Sequence, residues 1–80
     1  YFYNNQGLYL LYLNQLEEGL TLINQSLAMD DKNPFANRNK GIYYVLSGKK
    51  VEALSFLEEL AVSHPEMDLV QEYLTKARAL

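Results

Sequence analysis

The side chains that could carry out catalysis are few in this 80-residue chain, and they do not converge. The single histidine, His64, lies between Ser63 and Pro65, where a capping or surface role is more common than proton transfer. Six of the ten acidic residues form adjacent pairs, and neighbours along a helix point in different directions rather than toward one substrate. These pairs are Glu17 with Glu18, Asp30 with Asp31, and Glu58 with Glu59. We therefore expect no enzymatic activity and no catalytic residue.

Metal and cofactor sites are not expected from these residue types either. The chain has no cysteine, and one histidine cannot supply the ligands of a usual zinc site. Proteins without disulfides occur in every compartment, so the localisation stays open, with the cytoplasm only as a default. We expect no bound metal and no cofactor.

The charge and the apolar runs bear on nucleic acid and membrane partners. Seven Lys and Arg against ten Asp and Glu give a net charge of −3, without the basic excess that phosphate binding favours. Lysines and tyrosines do alternate between Lys40 and Lys50, as they can on RNA-binding surfaces, but the acidic balance argues against that function. The longest apolar run, residues 8–13, is far shorter than the ~20 residues of a membrane-spanning helix. We expect no nucleic acid partner and no membrane partner.

The most regular feature of the sequence is a repeat with a period of 34 residues. Asn14 and Gly48 correspond at this spacing, and both residue types tolerate the left-handed conformation that often ends a helix. A period of this size is typical of a supersecondary unit that stacks on a copy of itself. The positions that are identical after a shift of 34 are Asn5 and Asn39, Gly7 and Gly41, Tyr9 and Tyr43, Glu18 and Glu52, and Leu20 and Leu54.

Apolar residues follow a helical period in five segments, and no segment alternates with a period of two. We predict a first helix over about 2–13, a second from Leu16 up to a connection at 30–33, and a third over about 34–47. The fourth helix is predicted to end near residue 62, and the fifth to run from about Glu66 or Asp68 to Ala79. Asn33 is predicted to cap the third helix, with Pro34 at its first position. The predicted fold class is all-α.

The repeated unit resembles the tetratricopeptide repeat, whose pattern is Trp-x2-Leu-Gly-x2-Tyr, then Ala-x3-Phe, then Pro. In the second repeat the pattern falls on Asn37, Lys40, Gly41, Tyr44, Ala53, Leu57 and Pro65, of which Gly, Tyr, Ala and Pro are retained. In the first repeat it falls more loosely on Tyr3, Gln6, Gly7, Leu10, Gly19, Ile23 and Asp31.

This resemblance implies antiparallel helix-turn-helix repeats that form a short right-handed α-solenoid of about five helices. Residues 1–80 would be one domain, with repeat one at 1–33, repeat two at 34–67, and a terminal or third-repeat helix at 68–80. The first repeat would already be under way at Tyr1, so we expect the chain to be a fragment of a longer protein.

In this family the first helix of each repeat contributes to a concave face that binds peptides, and the resemblance implies such a face here. Helical spacing assigns twelve residues to it, and they make the groove unusually apolar, which favours a hydrophobic peptide or an amphipathic helix. They are Asn4, Asn5, Leu8, Leu11 and Tyr12 on the first helix, Arg38, Asn39, Ile42, Val45 and Leu46 on the third, and Val70 and Leu74 on the fifth.

Two interpretations of this apolar face stay open. In one, the chain is a protein-protein interaction module that binds a peptide or helix of a partner protein. In the other, it is a structural or self-association segment whose apolar face packs in a homodimer or against its parent chain. Solenoids generally need about three repeats for stability, and this chain has two and a fraction, so a homo-oligomer is a serious alternative.

Overall fold

The computed structural model describes residues 2–80, and these form five α-helices and no β-strand. The all-α prediction is therefore confirmed. Residue 1, where the first predicted repeat begins, lies outside the described residues. The helices are α1 (Phe2–Tyr12), α2 (Leu16–Met29), α3 (Pro34–Leu46), α4 (Lys50–Ser63) and α5 (Val70–Arg78).

The helices pack in the order in which they follow one another along the chain. Each helix contacts the next one, and α3 also contacts α1 and α5, whereas α1 and α5 have no close backbone contact. Contacts limited to sequence neighbours and to the equivalent helix of the next unit are typical of stacked repeats. The packing is thus that of a short helical repeat array with α3 at its centre.

The 34-residue period reappears in the backbone at the ends of α1 and α3. Asn14 and Gly48 both have positive φ, at 63° and 74°. The amide that follows each of them donates to the carbonyl five residues earlier, at 2.9 Å in the first unit and 2.8 Å in the second. This closure satisfies carbonyls that the end of a helix otherwise leaves unpaired. The predicted left-handed helix ends are confirmed at both positions.

Small residues let the two helices of each unit approach closely. A Cβ atom added to Gly7 would lie 2.7 Å from Cγ1 of Ile23 and 2.9 Å from the carbonyl oxygen of Gly19. The same atom on Gly41 would lie 2.8 Å from Cδ2 of Leu57, which occupies the position of Ile23 in the second unit. Since real Cβ contacts are longer than this, only glycine permits the observed separation of α1 from α2 and of α3 from α4.

The start of α3 is confirmed in detail, while that of α5 differs from the prediction. Asn33 Oδ1 accepts hydrogen bonds from the amides of Phe35 and Ala36, and Pro34 occupies the first turn. α5 begins only at Val70, because Leu69 adopts a left-handed conformation with φ of 68° that a continuing helix does not allow. Leucine rarely takes this conformation, so the local sequence carries no signal for it.

One apolar core connects the four later helices with α1. The buried side chains of this core are Leu11, Ile23, Ile42, Tyr43, Val45, Ala53, Leu57, Tyr73, Leu74 and Ala77.

The longest helices have 14 residues, and none within residues 2–80 has the length and apolar character that crossing a bilayer requires.

Candidate interaction surface

Most of the residues predicted to line a peptide-binding groove are buried between helices. The expectation that these residues lie open to a ligand is therefore corrected, because neighbouring helices cover their side chains. Asn5, Leu8, Tyr12 and Leu46 remain at least partly exposed, and a binding role for them stays a prediction. The eight buried residues are Asn4, Leu11, Arg38, Asn39, Ile42, Val45, Val70 and Leu74.

The burial of Ile42 and Val45 follows from the central place of α3. This helix packs against α2 and α4 and also contacts α1 and α5, so little of its circumference is left for solvent. Tyr73 of α5 belongs to the same core cluster as these two residues. Ile42 and Val45, which the sequence analysis assigned to a binding face, are therefore part of the core.

Tyr12 of α1 and Tyr73 of α5 meet although the backbones of their helices do not. Burial raises the pKa of the Tyr73 phenol, and its hydrogen-bonded neighbour Tyr12 raises it further, with a smaller contribution from Glu72. Each of these causes disfavours the phenolate. The two aromatic side chains thus connect α1 with α5, although the backbones of these two helices are separated by α3.

Val70 and Leu74 are buried on α5, a helix that packs against both α4 and α3. A shift of 34 relates them to Ala36 and Lys40, not to the predicted groove positions Leu8 and Ile42. The residue of α5 equivalent to Ile42 is Lys76, which is exposed. The assignment on α5 followed apolarity, so it selected repeat positions other than those selected on α1 and α3.

A buried polar cluster links α1, α3 and the segment before α5. Asn39 Nδ2 donates to Asn4 Oδ1 at 2.7 Å, and Arg38 Nε donates to Asn39 Oδ1 at 3.0 Å. Arg38 Nη1 forms an ion pair with Asp68 Oδ1 at 3.0 Å, and its guanidinium lies over the Phe35 ring at 5.4 Å. Within residues 2–80 no buried side-chain nitrogen or oxygen lacks a partner. Three predicted ligand-binding residues therefore act as a polar clamp between units.

Three large apolar side chains at equivalent repeat positions are exposed to solvent. Tyr12, Leu46 and Leu80 are 53%, 41% and 47% exposed, and each is separated from the next by 34 residues. Tyr12 and Leu46 are the last residues of α1 and α3, and Leu80 lies two residues beyond the end of α5. We call these three residues the apolar row. Sequence reasoning found two of them and missed Leu80, although adding 34 to Leu46 identifies it.

Two clefts adjoin His64, near the start of α3 and the end of α4. The Ser63 hydroxyl donates to the Glu59 carbonyl at 3.0 Å and also lies 2.9 Å from His64 Nδ1. Which of the two atoms donates in the second contact depends on the tautomer of the imidazole. Within residues 2–80 no three acidic, His or Cys side chains are grouped to hold a metal ion. The clefts, of about 350 and 380 Å³, are lined mainly by Pro34, Phe35, Phe56, Glu59, His64 and Met67.

The apolar row is the exposed feature that the period of 34 reproduces at the ends of α1 and α3 and just after α5. Comparison with protein-family models, curated proteins and solved structures finds no match to this chain. The row consists of three large exposed apolar side chains, and on α5 Lys76 Nζ lies 4.7 Å from the centre of the Tyr73 ring.

Proposed function

We propose that this chain is a protein-protein interaction module that binds a peptide or helix of a partner protein along the apolar row. The observation that carries the proposal is the exposure of Tyr12, Leu46 and Leu80 at equivalent positions of three adjacent units. Exposed apolar side chains that adjoin one another are characteristic of binding surfaces, because covering them releases the water that hydrates them.

The spacing of the row favours an amphipathic helix as the ligand. Packed helices lie about 8–10 Å apart, so neighbouring members of the row are separated by about that distance. Seven residues of an α-helix advance about 10.5 Å, and residues seven apart share one face. A helix lying across the three units, with apolar residues at every seventh position, would therefore place one of them against each member of the row.

The resemblance to tetratricopeptide repeats supports the same function. In that family the ligand contacts the first helices of successive units, and Tyr12 and Leu46 lie on the corresponding helices α1 and α3. The polar side chain of Lys76 is exposed on α5 and is available to hydrogen-bond the ligand. The surface proposed here is smaller than the predicted twelve-residue groove, because eight of those twelve residues are buried.

The test is a selection of displayed peptides against the purified chain, using a library of helical peptides with apolar residues at every seventh position. Affinities of the selected peptides are then measured for the Tyr12→Glu, Leu46→Glu double variant. We expect a loss of at least about tenfold, because two charges would face apolar ligand atoms. The matched control is Val62→Glu, which alters an exposed apolar residue near the end of α4, outside the apolar row.

The outcomes separate recruitment of a partner from self-association. If the double variant binds the peptides as well as Val62→Glu does, the row is not the binding site. Sedimentation of the unchanged chain at several concentrations tests the alternative function. A dimer that Tyr12→Glu dissociates would show that the row packs against a second copy instead.

A further inference from the structure

The two ends of the helix stack differ in chemical character. The exposed residues of α5 are all polar, namely Gln71, Glu72, Thr75, Lys76 and Arg78. A polar outer side is what a terminal unit of a repeat stack requires for solubility. At the other end, α1 exposes Tyr9, and Leu13, which directly follows α1, is exposed one helical turn further on.

The structure contains an internal example of how Tyr9 would be covered. Its equivalent in the second unit, Tyr43, is 7% exposed against 62% for Tyr9. Tyr43 packs beside α2 of the preceding unit, and its hydroxyl donates to Glu17 Oε2 at 3.2 Å. The same residue type at the same repeat position is thus buried where a preceding unit exists and open where none is present.

A polar residue shows the same contrast. Asn39 is fully buried and donates to Asn4 Oδ1 on α1, the first helix of the preceding unit. Asn5, its equivalent in the first unit, is exposed. One turn of helix separates Asn5 from Tyr9, so both positions that contact a preceding unit lie on one face of α1.

We propose that the face of α1 defined by Asn5, Tyr9 and Leu13 docks a further helical repeat unit in the register that relates the second unit to the first. The first helix of that unit carries an amide side chain at the position of Asn4, which pairs with Asn5. Its second helix carries a carboxylate at the position of Glu17, which accepts a hydrogen bond from the Tyr9 hydroxyl. The partner is therefore a pair of antiparallel helices with this polar pattern beside an apolar contact.

A second copy of this chain does not provide such a partner. The face of α2 that would cover Tyr9 already holds α3, and the corresponding face of α4 already holds α5. Because both faces are occupied within one molecule, another copy could dock this way only by unpacking its own helices. The docked unit is consequently a different pair of helices with a free face.

The test adds such a unit to the chain in register. Residues 1–34 are placed ahead of residue 1, so that a second Pro34 precedes Tyr1 as Pro34 precedes Phe35, and a copy of Asn33 can cap α1. Thermal unfolding is followed by circular dichroism for the 80-residue chain and for the extended chain. Tyr9→Lys is then introduced into the original α1 in both, and Glu17→Ala into the added copy alone.

We expect the extended chain to unfold in one transition at a higher temperature than the 80-residue chain. Tyr9→Lys should change the midpoint of the 80-residue chain by less than about 2 °C, because the side chain is exposed there, and lower that of the extended chain by about 5 °C or more. Glu17→Ala in the added copy should give a smaller loss in the same direction. Equal effects of Tyr9→Lys in both chains, or separate unfolding of the added unit, would overturn the proposal.

Discussion

Replacing Asn39 with alanine tests whether the buried amide cluster holds the units together. The substitution removes the 2.7 Å bond to Asn4 Oδ1 and the 3.0 Å bond from Arg38 Nε. It leaves a buried amide oxygen and a buried guanidinium nitrogen without partners, each costing about 1–3 kcal/mol. Arg38 keeps its ion pair with Asp68. The expected loss in the free energy of unfolding is therefore about 2–4 kcal/mol, below the maximum of the two costs added together.

The loss should be large in relation to the stability of the protein. A domain of 80 residues has a free energy of unfolding of about 4–12 kcal/mol, and each kcal/mol shifts the melting temperature by about 4–8 °C. Urea unfolding followed by circular dichroism gives the free energy, and a thermal scan gives the shift. We expect Asn39→Ala to lower the melting temperature by at least about 8 °C.

The repeat supplies a matched control for this measurement. Asn5 is the same residue at the same repeat position but is exposed, so Asn5→Ala should change the free energy of unfolding by less than about 0.5 kcal/mol. The double variant Asn4→Ala, Asn39→Ala should cost less than the sum of the two single changes, because the partners are removed together. Equal costs for Asn39→Ala and Asn5→Ala would refute the structural role of the cluster.

Three further predictions concern packing, protonation and the placement of the core. Gly7→Ala should destabilise the fold by about 1–2 kcal/mol in urea unfolding despite the better helix propensity of alanine, because its Cβ would lie 2.9 Å from the Gly19 carbonyl oxygen; stabilisation would contradict the close approach of α1 and α2. The raised pKa of Tyr73 means that its stabilising contribution is complete below pH 10 and is lost as the pH rises through the folded-state pKa, so Tyr73→Phe should lessen the alkaline loss of stability seen by circular dichroism. Ile42→Glu should abolish cooperative unfolding while Leu46→Glu, four residues on, leaves the circular dichroism spectrum unchanged; similar behaviour of the two would show that α3 is not buried as described.

Local chemistry made much of the fold predictable. Helical periodicity located the helices, and Asn33 with Pro34 marked the start of α3, because capping depends on atoms two or three residues away. Asn14 and Gly48 marked the ends of α1 and α3 for a similarly local reason. The start of α5 was not predictable in this way, since the left-handed Leu69 goes against the preference of its residue type.

The binding surface was less predictable than the helices. An apolar helical face has the same pattern whether it lines a groove or fills a core, so Leu11, Ile42 and Val45 could not be assigned from spacing alone. The polar residues Asn39 and Arg38 were misplaced for a related reason, because their burial depends on partners across the fold, Asn4 and Asp68.

The helices, most of their ends and the period that makes the units equivalent could be predicted from the amino-acid sequence. These properties depend on interactions within a few residues or on direct comparison of one segment with another. The burial of equivalent residues could not be predicted in this way, because it depends on what stacks against each unit in the folded protein. Tyr9 and Tyr43 are the clearest case: the two tyrosines share a repeat position, and the presence of a preceding unit alone makes one of them surface and the other core.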